Sequence, residues 1–144
     1  MNDVPHSSTE PRQVLLVEWN ATLRAGLHAW LQQEFPGFRI EVAADREQAE
    51  RAVTSCTVAL VLVNIDAQRG EGFATLRALH SLQPEALLIA LSLYPVDYFR
   101  EKAMHAGAAG CACVALADDT LRDLLRELLP TTQRGISVNV DGAC

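Results

Sequence analysis

The chain has 144 residues, 49% hydrophobic and 21% charged, a balance that suits one domain with a full apolar core. Its net charge is −6, from 12 basic against 18 acidic side chains, and its only lysine is Lys102. A nucleic-acid surface needs clustered basic residues, so direct DNA or RNA binding is not expected.

Residues 1–12 are polar, with Pro5 and Pro11, and lack the apolar stretch of a signal peptide. No apolar run is long enough to span a bilayer, and a cytoplasmic protein without membrane contact is expected. Val14-Leu15-Leu16-Val17 then reads as a strand buried on both faces. Leu23, Leu27, Trp30, Leu31 and Phe35 form one helical stripe, stopped by Pro36-Gly37. Phe38, Ile40 and Val42 alternate with polar residues, as in a strand with one exposed face.

Asp45 and Gln48 have capping-box spacing and open a second helix through about Thr54. Val58 to Ile65 reads as a central strand, and residues 66–72 as a loop. Phe73, Leu76, Leu79, His80 and Leu82 give a third helix ended by Pro84, and Leu87 to Leu91 a fourth strand. Pro95 suits the first turn of a fourth helix, which runs through Phe99, Ala103 and Met104 to a C-capping Gly107. Cys111 to Leu116 is a short fifth strand. Asp118 or Asp119 caps a fifth helix with Leu121, Leu124, Leu125, Leu128 and Leu129 as its stripe, ended by Pro130.

The pattern predicts a single (βα)5 α/β domain over 13–130, with a flexible segment at 1–12 and a tail at 131–144. Right-handed crossovers favour a flavodoxin-like parallel five-stranded sheet of order 2-1-3-4-5 with helices on both faces. Ligands of such folds bind beyond the carboxyl ends of the strands. That directs the search to residues 18–20, 64–66, 92–94 and 114–116. Cys111 and Cys113 have the wrong spacing for a C-x-x-C motif and read as small buried hydrophobes, and Cys144 as an exposed thiol. The four histidines share no ligand spacing, so no bound metal or cofactor is expected.

Five stretches, in order, carry a family resemblance. They are Val14-Leu15-Leu16-Val17-Glu18-Trp19-Asn20, Leu23-Arg24-Ala25-Gly26-Leu27, Leu62-Val63-Asn64-Ile65-Asp66, Gly72, and Ala106-Gly107-Ala108-Ala109-Gly110. From Gln13 to Leu129 the chain resembles a response-regulator receiver domain of two-component signalling. The resemblance implies a carboxylate nucleophile at the end of strand 3, two acids after strand 1 holding Mg²⁺, a Ser or Thr after strand 4 and a Lys after strand 5.

At those positions this sequence has Asn64, the pair Glu18 and Trp19, Ser92 and Val114, and Cys111 replaces the aromatic residue of strand 5. The resemblance therefore implies a degenerate phosphorylation pocket of Glu18, Trp19, Asn64, Asp66, Ser92 and Val114. Asp66 reads either as a loop carboxylate capping backbone N–H groups or as a displaced acceptor. Trp19 reads as a lid filling the pocket or as an exposed anchor for a partner.

In the family, helix 4, strand 5 and helix 5 form the usual dimer or output face. Here that stretch holds Tyr98, Phe99, Arg100, Lys102, Asp118, Asp119, Arg122, Asp123, Arg126 and Glu127. Its mixed charges read as a solvated face or as reciprocal pairs across a homodimer axis. Ile136, Val138 and Val140 alternate in the tail, which reads as disordered or as an added strand. No nucleophile–base pairing is legible, so an enzyme is not expected. The expected function is a phosphorylation-independent signalling module that binds a protein partner, such as a sensor kinase, a regulator or another receiver. A small-molecule module using the vacated pocket is the alternative.

Overall fold

The computed structural model describes residues 12–66, 71–115 and 120–129. Five strands alternate with helices: β1 (Arg12–Val17), α1 (Ala21–Glu34), β2 (Phe38–Ala43), α2 (Arg46–Ser55), β3 (Leu60–Asn64), α3 (Glu71–Leu82), β4 (Leu87–Ser92), α4 (Arg100–His105), β5 (Gly110–Cys113) and α5 (Thr120–Leu128). The strands form one parallel sheet of order β2-β1-β3-β4-β5, as expected.

Successive side chains on a strand point to opposite faces, so each central strand supplies two cores. Leu15, Val17, Val61, Val63, Leu88 and Ala90 pack with α2, α3 and α4 on one face. Leu16, Leu60, Leu62, Ile89 and Leu91 pack with Leu31 of α1 and Leu121 and Leu125 of α5 on the other. Continuous burial of β3 explains its uninterrupted apolar run. Val42, expected inside, is exposed, because β2 is an edge strand with a neighbour on one side only.

Asp45 and Gln48 cap α2, with one bond shifted from the usual box: the Gln48 N–H donates to Asp45 Oδ1 at 2.9 Å, while Gln48 Oε1 accepts from the N–H of Ala44, just before the N-cap, at 2.8 Å. Asn20 caps α1, accepting from the Leu23 N–H at 2.9 Å. Gly107 takes φ +112° after α4, a left-handed conformation that suits glycine.

Three boundaries differ from expectation. Gly72 lies inside α3 rather than in the preceding loop. The stretch from Pro95 divides into a 3₁₀ turn, Val96–Tyr98, and α4, with the break at Phe99 (φ −136°, ψ −2°). Strand β5 ends at Cys113, so Val114 lies just beyond it. Leu116, Asp118, Asp119 and the tail lie outside the described residues.

Gln83, which follows α3, ties three elements together. Its Nε2 donates to the Val53 and Cys56 carbonyls at 2.6 and 2.7 Å, and its Oε1 accepts from the Val58 N–H at 2.9 Å. Gln83→Ala removes all three bonds and is expected to cost about 2–3 kcal/mol in urea unfolding. A loss below about 0.5 kcal/mol would mean that water replaces the clamp.

Candidate functional site

The parallel register assembles a polar cluster at the carboxyl ends of the central strands. Val17 pairs with Val63, so the next residues, Glu18 and Asn64, lie side by side. Asn64 pairs with Leu91, and Ser92 pairs with Cys113. The Val114 N–H then donates to the Ser92 carbonyl at 2.8 Å. Glu18, Asn64, Asp66, Ser92 and Val114 thus meet at one pole, with Trp19 beside them.

Glu18 is fully buried. Asn64 Nδ2 donates to Glu18 Oε1 at 2.5 Å, and the Asn20 N–H donates to Glu18 Oε2 at 3.0 Å. Arg24 Nη1 donates to the Glu18 carbonyl at 2.8 Å. Burial pushes the Glu18 carboxyl above the ordinary carboxylate range; its bonds from Asn64 and Asn20 oppose that rise, and the charge of Asp66 adds to it. Desolvation wins, because the hydrogen bonds replace only part of the lost water.

Asn64 is also buried, and its Oδ1 accepts from the Asp66 N–H at 2.7 Å. The amide therefore links the end of β1 to the loop after β3. Asp66 reaches across to β4: Oδ1 accepts from Ser92 Oγ at 2.7 Å and Oδ2 from the Leu93 N–H at 2.8 Å. Ser92 Oγ in turn accepts from the Tyr94 N–H at 2.9 Å. Asp66 thus caps a backbone N–H, but in the β4 loop rather than its own. Sequence spacing gave no sign of this bond between residues 26 apart.

Trp19 is 47% exposed and forms a wall of an open cleft of about 500 Å³ rather than a plug in the cluster. The cleft lies over Val17, Val63 and Asn64, between the first turns of α2 and α3. Cys111 is buried, and burial raises its thiol pKa. Cys111 and Cys113 are free thiols. Among the described residues no group of three or more His, Cys, Asp or Glu side chains is placed to hold a metal.

The expected interaction face is only partly a surface. Tyr98 is 78% exposed, and Arg100, Lys102, Asp123 and Arg126 are exposed as well. Phe99 is not: it is 6% exposed and belongs to the core with Ala103 and Cys111. The break between the 3₁₀ turn and α4 turns Phe99 inward while its neighbour Tyr98 points out. Arg122 donates from Nε to Glu34 Oε1 at 2.9 Å, tying α5 to α1. Leu93 and Tyr94, absent from the expected set, add exposed apolar area next to the cluster.

A doubly wound parallel sheet with its polar residues gathered at the ends of β1, β3 and β4 defines a CheY-like α/β domain. The chain belongs to the response regulator receiver domain family, whose pattern matches residues 14–126. Solved structures share the fold. A CheY-like receiver domain protein from Methanospirillum hungatei is 21% identical, with a TM-score of 0.73 over 87% of this chain and 98% of that one. The response regulator TrrA from Thermotoga maritima, solved with Mg²⁺ and BeF, is 23% identical, with a TM-score of 0.71 over 82% and 99%. The chemotaxis protein CheY4 from Vibrio cholerae is 20% identical, with a TM-score of 0.72 over 83% and 99%. No curated protein matches the chain.

No described helix is long and apolar enough to cross a membrane.

Proposed function

We propose that this receiver domain of two-component signalling works without phosphorylation, as a cytoplasmic module that binds a protein partner. The observation that carries the reading is Asn64. By family resemblance it occupies the acceptor position, and its amide is held by Glu18 on one side and by the Asp66 N–H on the other. An amide is a poor nucleophile and forms no acyl phosphate.

The surrounding residues support the same reading. A Mg²⁺ ion does not fit them: both Glu18 oxygens already accept hydrogen bonds, and an indole stands at the second acid position. Val114 offers no counter-charge to a phosphoryl group. The Ser92 hydroxyl donates to Asp66, whose two oxygens are both engaged. Asp66 is therefore a poor substitute acceptor.

In this reading the output is a surface. Tyr98, Arg100 and Lys102, with Asp123 and Arg126 of α5, are exposed and mix both signs of charge with an aromatic ring, as suits a kinase, a regulator, another receiver or a second copy of the chain. The open cleft beside Trp19 supports a second reading, in which the same pole takes a small molecule.

The test is intact mass after incubation with acetyl phosphate and Mg²⁺, for the wild type and Asp66→Ala. No phosphoryl adduct is expected in either. An adduct in the wild type that Asp66→Ala abolishes would overturn the proposal and make Asp66 the acceptor.

A further inference from the structure

The cleft beside Trp19 belongs to no part of the protein-binding face, and its lining has a definite chemistry. Its volume of about 500 Å³ lies within the range of small-ligand sites, roughly 300–1,000 Å³. Val17 and Val63 give it an apolar floor, and the half-exposed indole of Trp19 gives it an aromatic wall. Asn64 also lines it, and this residue is 4% exposed. One of the two Nδ2 hydrogens of Asn64 bonds to Glu18, and the other has no acceptor among the described residues. A primary amide has two N–H donors, so Asn64, which lines the cleft, keeps one that a ligand oxygen could accept.

The rim sets the sign of the ligand's charge. Asp45, Glu47, Glu50 and Glu71 line the cleft, with Arg46 as the one basic lining residue. Asp45 is committed to capping α2, and Glu47 pairs with Arg51 at 3.2 Å. Arg46 Nε sits 2.8 Å from Glu50, while its Nη1 reaches Glu71 only at 3.9 Å. The Glu71 carboxylate, on the α3 side, is therefore weakly held and open to a second cation. An anion would meet four carboxylates, whereas a cation gains both their field and the face of an indole.

We infer that the cleft between Trp19, Asn64 and Glu71 binds a small organic cation carrying an oxygen acceptor, of the amino-alcohol class. The cationic head lies between the indole and Glu71, and the oxygen accepts from Asn64 Nδ2. This deepens the small-molecule reading and rests on it. It is independent of whether the chain is phosphorylated, because phosphoryl transfer is read by mass and ligand binding by titration.

The test is titration of the full chain with choline and with ethanolamine, followed by calorimetry and by tryptophan emission. The control is the neutral carbon isostere of choline, in which a tert-butyl group replaces the trimethylammonium. Saturable binding of a cation is expected, weakened about tenfold in Glu71→Gln and in Trp19→Leu, with the isostere silent. Both replaced side chains are exposed, so the variants should fold, which circular dichroism checks. Absence of saturable binding by both cations overturns the inference. So does binding that the two variants leave unchanged, which would place the ligand elsewhere, or equal binding of the isostere, which would make the charge irrelevant. A phosphoryl adduct in the acetyl phosphate test would sink the phosphorylation-independent reading and leave this one standing.

Discussion

Gly72→Ala is expected to cost about 3 kcal/mol or more of stability, measured by urea unfolding. Helix propensity alone gives the opposite sign, since alanine is favoured over glycine inside a helix by about 1 kcal/mol. Packing decides. A Cβ at Gly72 would lie 2.3 Å from Ile65 Cα and 2.5 Å from Ile65 O. Both are backbone atoms at the end of β3, so relief requires α3 to lift away from the sheet, and the loop that carries Asp66 would move with it. Gly26→Ala is the matched control. Nothing lies within 4 Å of its Cβ position in α1, so it should gain up to about 1 kcal/mol. If both variants raised the urea midpoint alike, α3 would not be seated on β3 as described.

Asn64→Asp, which restores the family's usual residue, is expected to destabilise the domain by about 2–4 kcal/mol at neutral pH. The amide now donates to Glu18 Oε1. A carboxylate there would set two negative oxygens against each other in a buried site, with no lysine nearby to offset them. The pH dependence follows from the carboxyl of Glu18, which burial already raises above its ordinary range. An acid with a raised folded-state pKa binds its proton more readily folded than unfolded. The stability cost of its charged form is therefore present above the folded pKa and disappears as pH falls toward the unfolded value, about 4.3 for Glu. The introduced carboxylate raises that pKa further. The variant should regain stability on the wild type as pH is lowered from neutral toward that value, and chemical unfolding at a series of pH values measures it. A variant as stable as the wild type at neutral pH would mean that the site is wetter than its burial indicates.

Much of the architecture was legible because each element carried its own signal. The unbroken apolar runs of β1, β3 and β4, the capping box at Asp45 and the stop at Pro36-Gly37 all lie where the chain needs them. Gathering Glu18, Asn64 and Ser92 at one pole required only strand order and register. What was not legible depends on side-chain direction between distant residues. The family's output face put Phe99 among the surface residues, whereas its side chain packs inward with Ala103 and Cys111, at the break between the 3₁₀ turn and α4. The Asp66–Ser92 bond and the Gln83 clamp join residues 25 to 30 apart through particular rotamers, which no local pattern records. The cleft is lined from the first turns of both α2 and α3, which no local pattern brings together, and Trp19, read either as a lid or as an exposed anchor, borders that space half-exposed.

The position of β1 between β2 and β3 has a consequence for synthesis. A chain emerging from the ribosome releases β1, β2 and β3 before the rest, and in the sheet β1 pairs with both of the others. Glu18 and Asn64 can meet as soon as β3 is free of the exit tunnel. The Asp66 carboxylate must wait for β4 to bring Ser92 and Leu93, the second half of the cluster. The site is thus built in two instalments along the direction of translation, with the buried acid and its amide partner joined first.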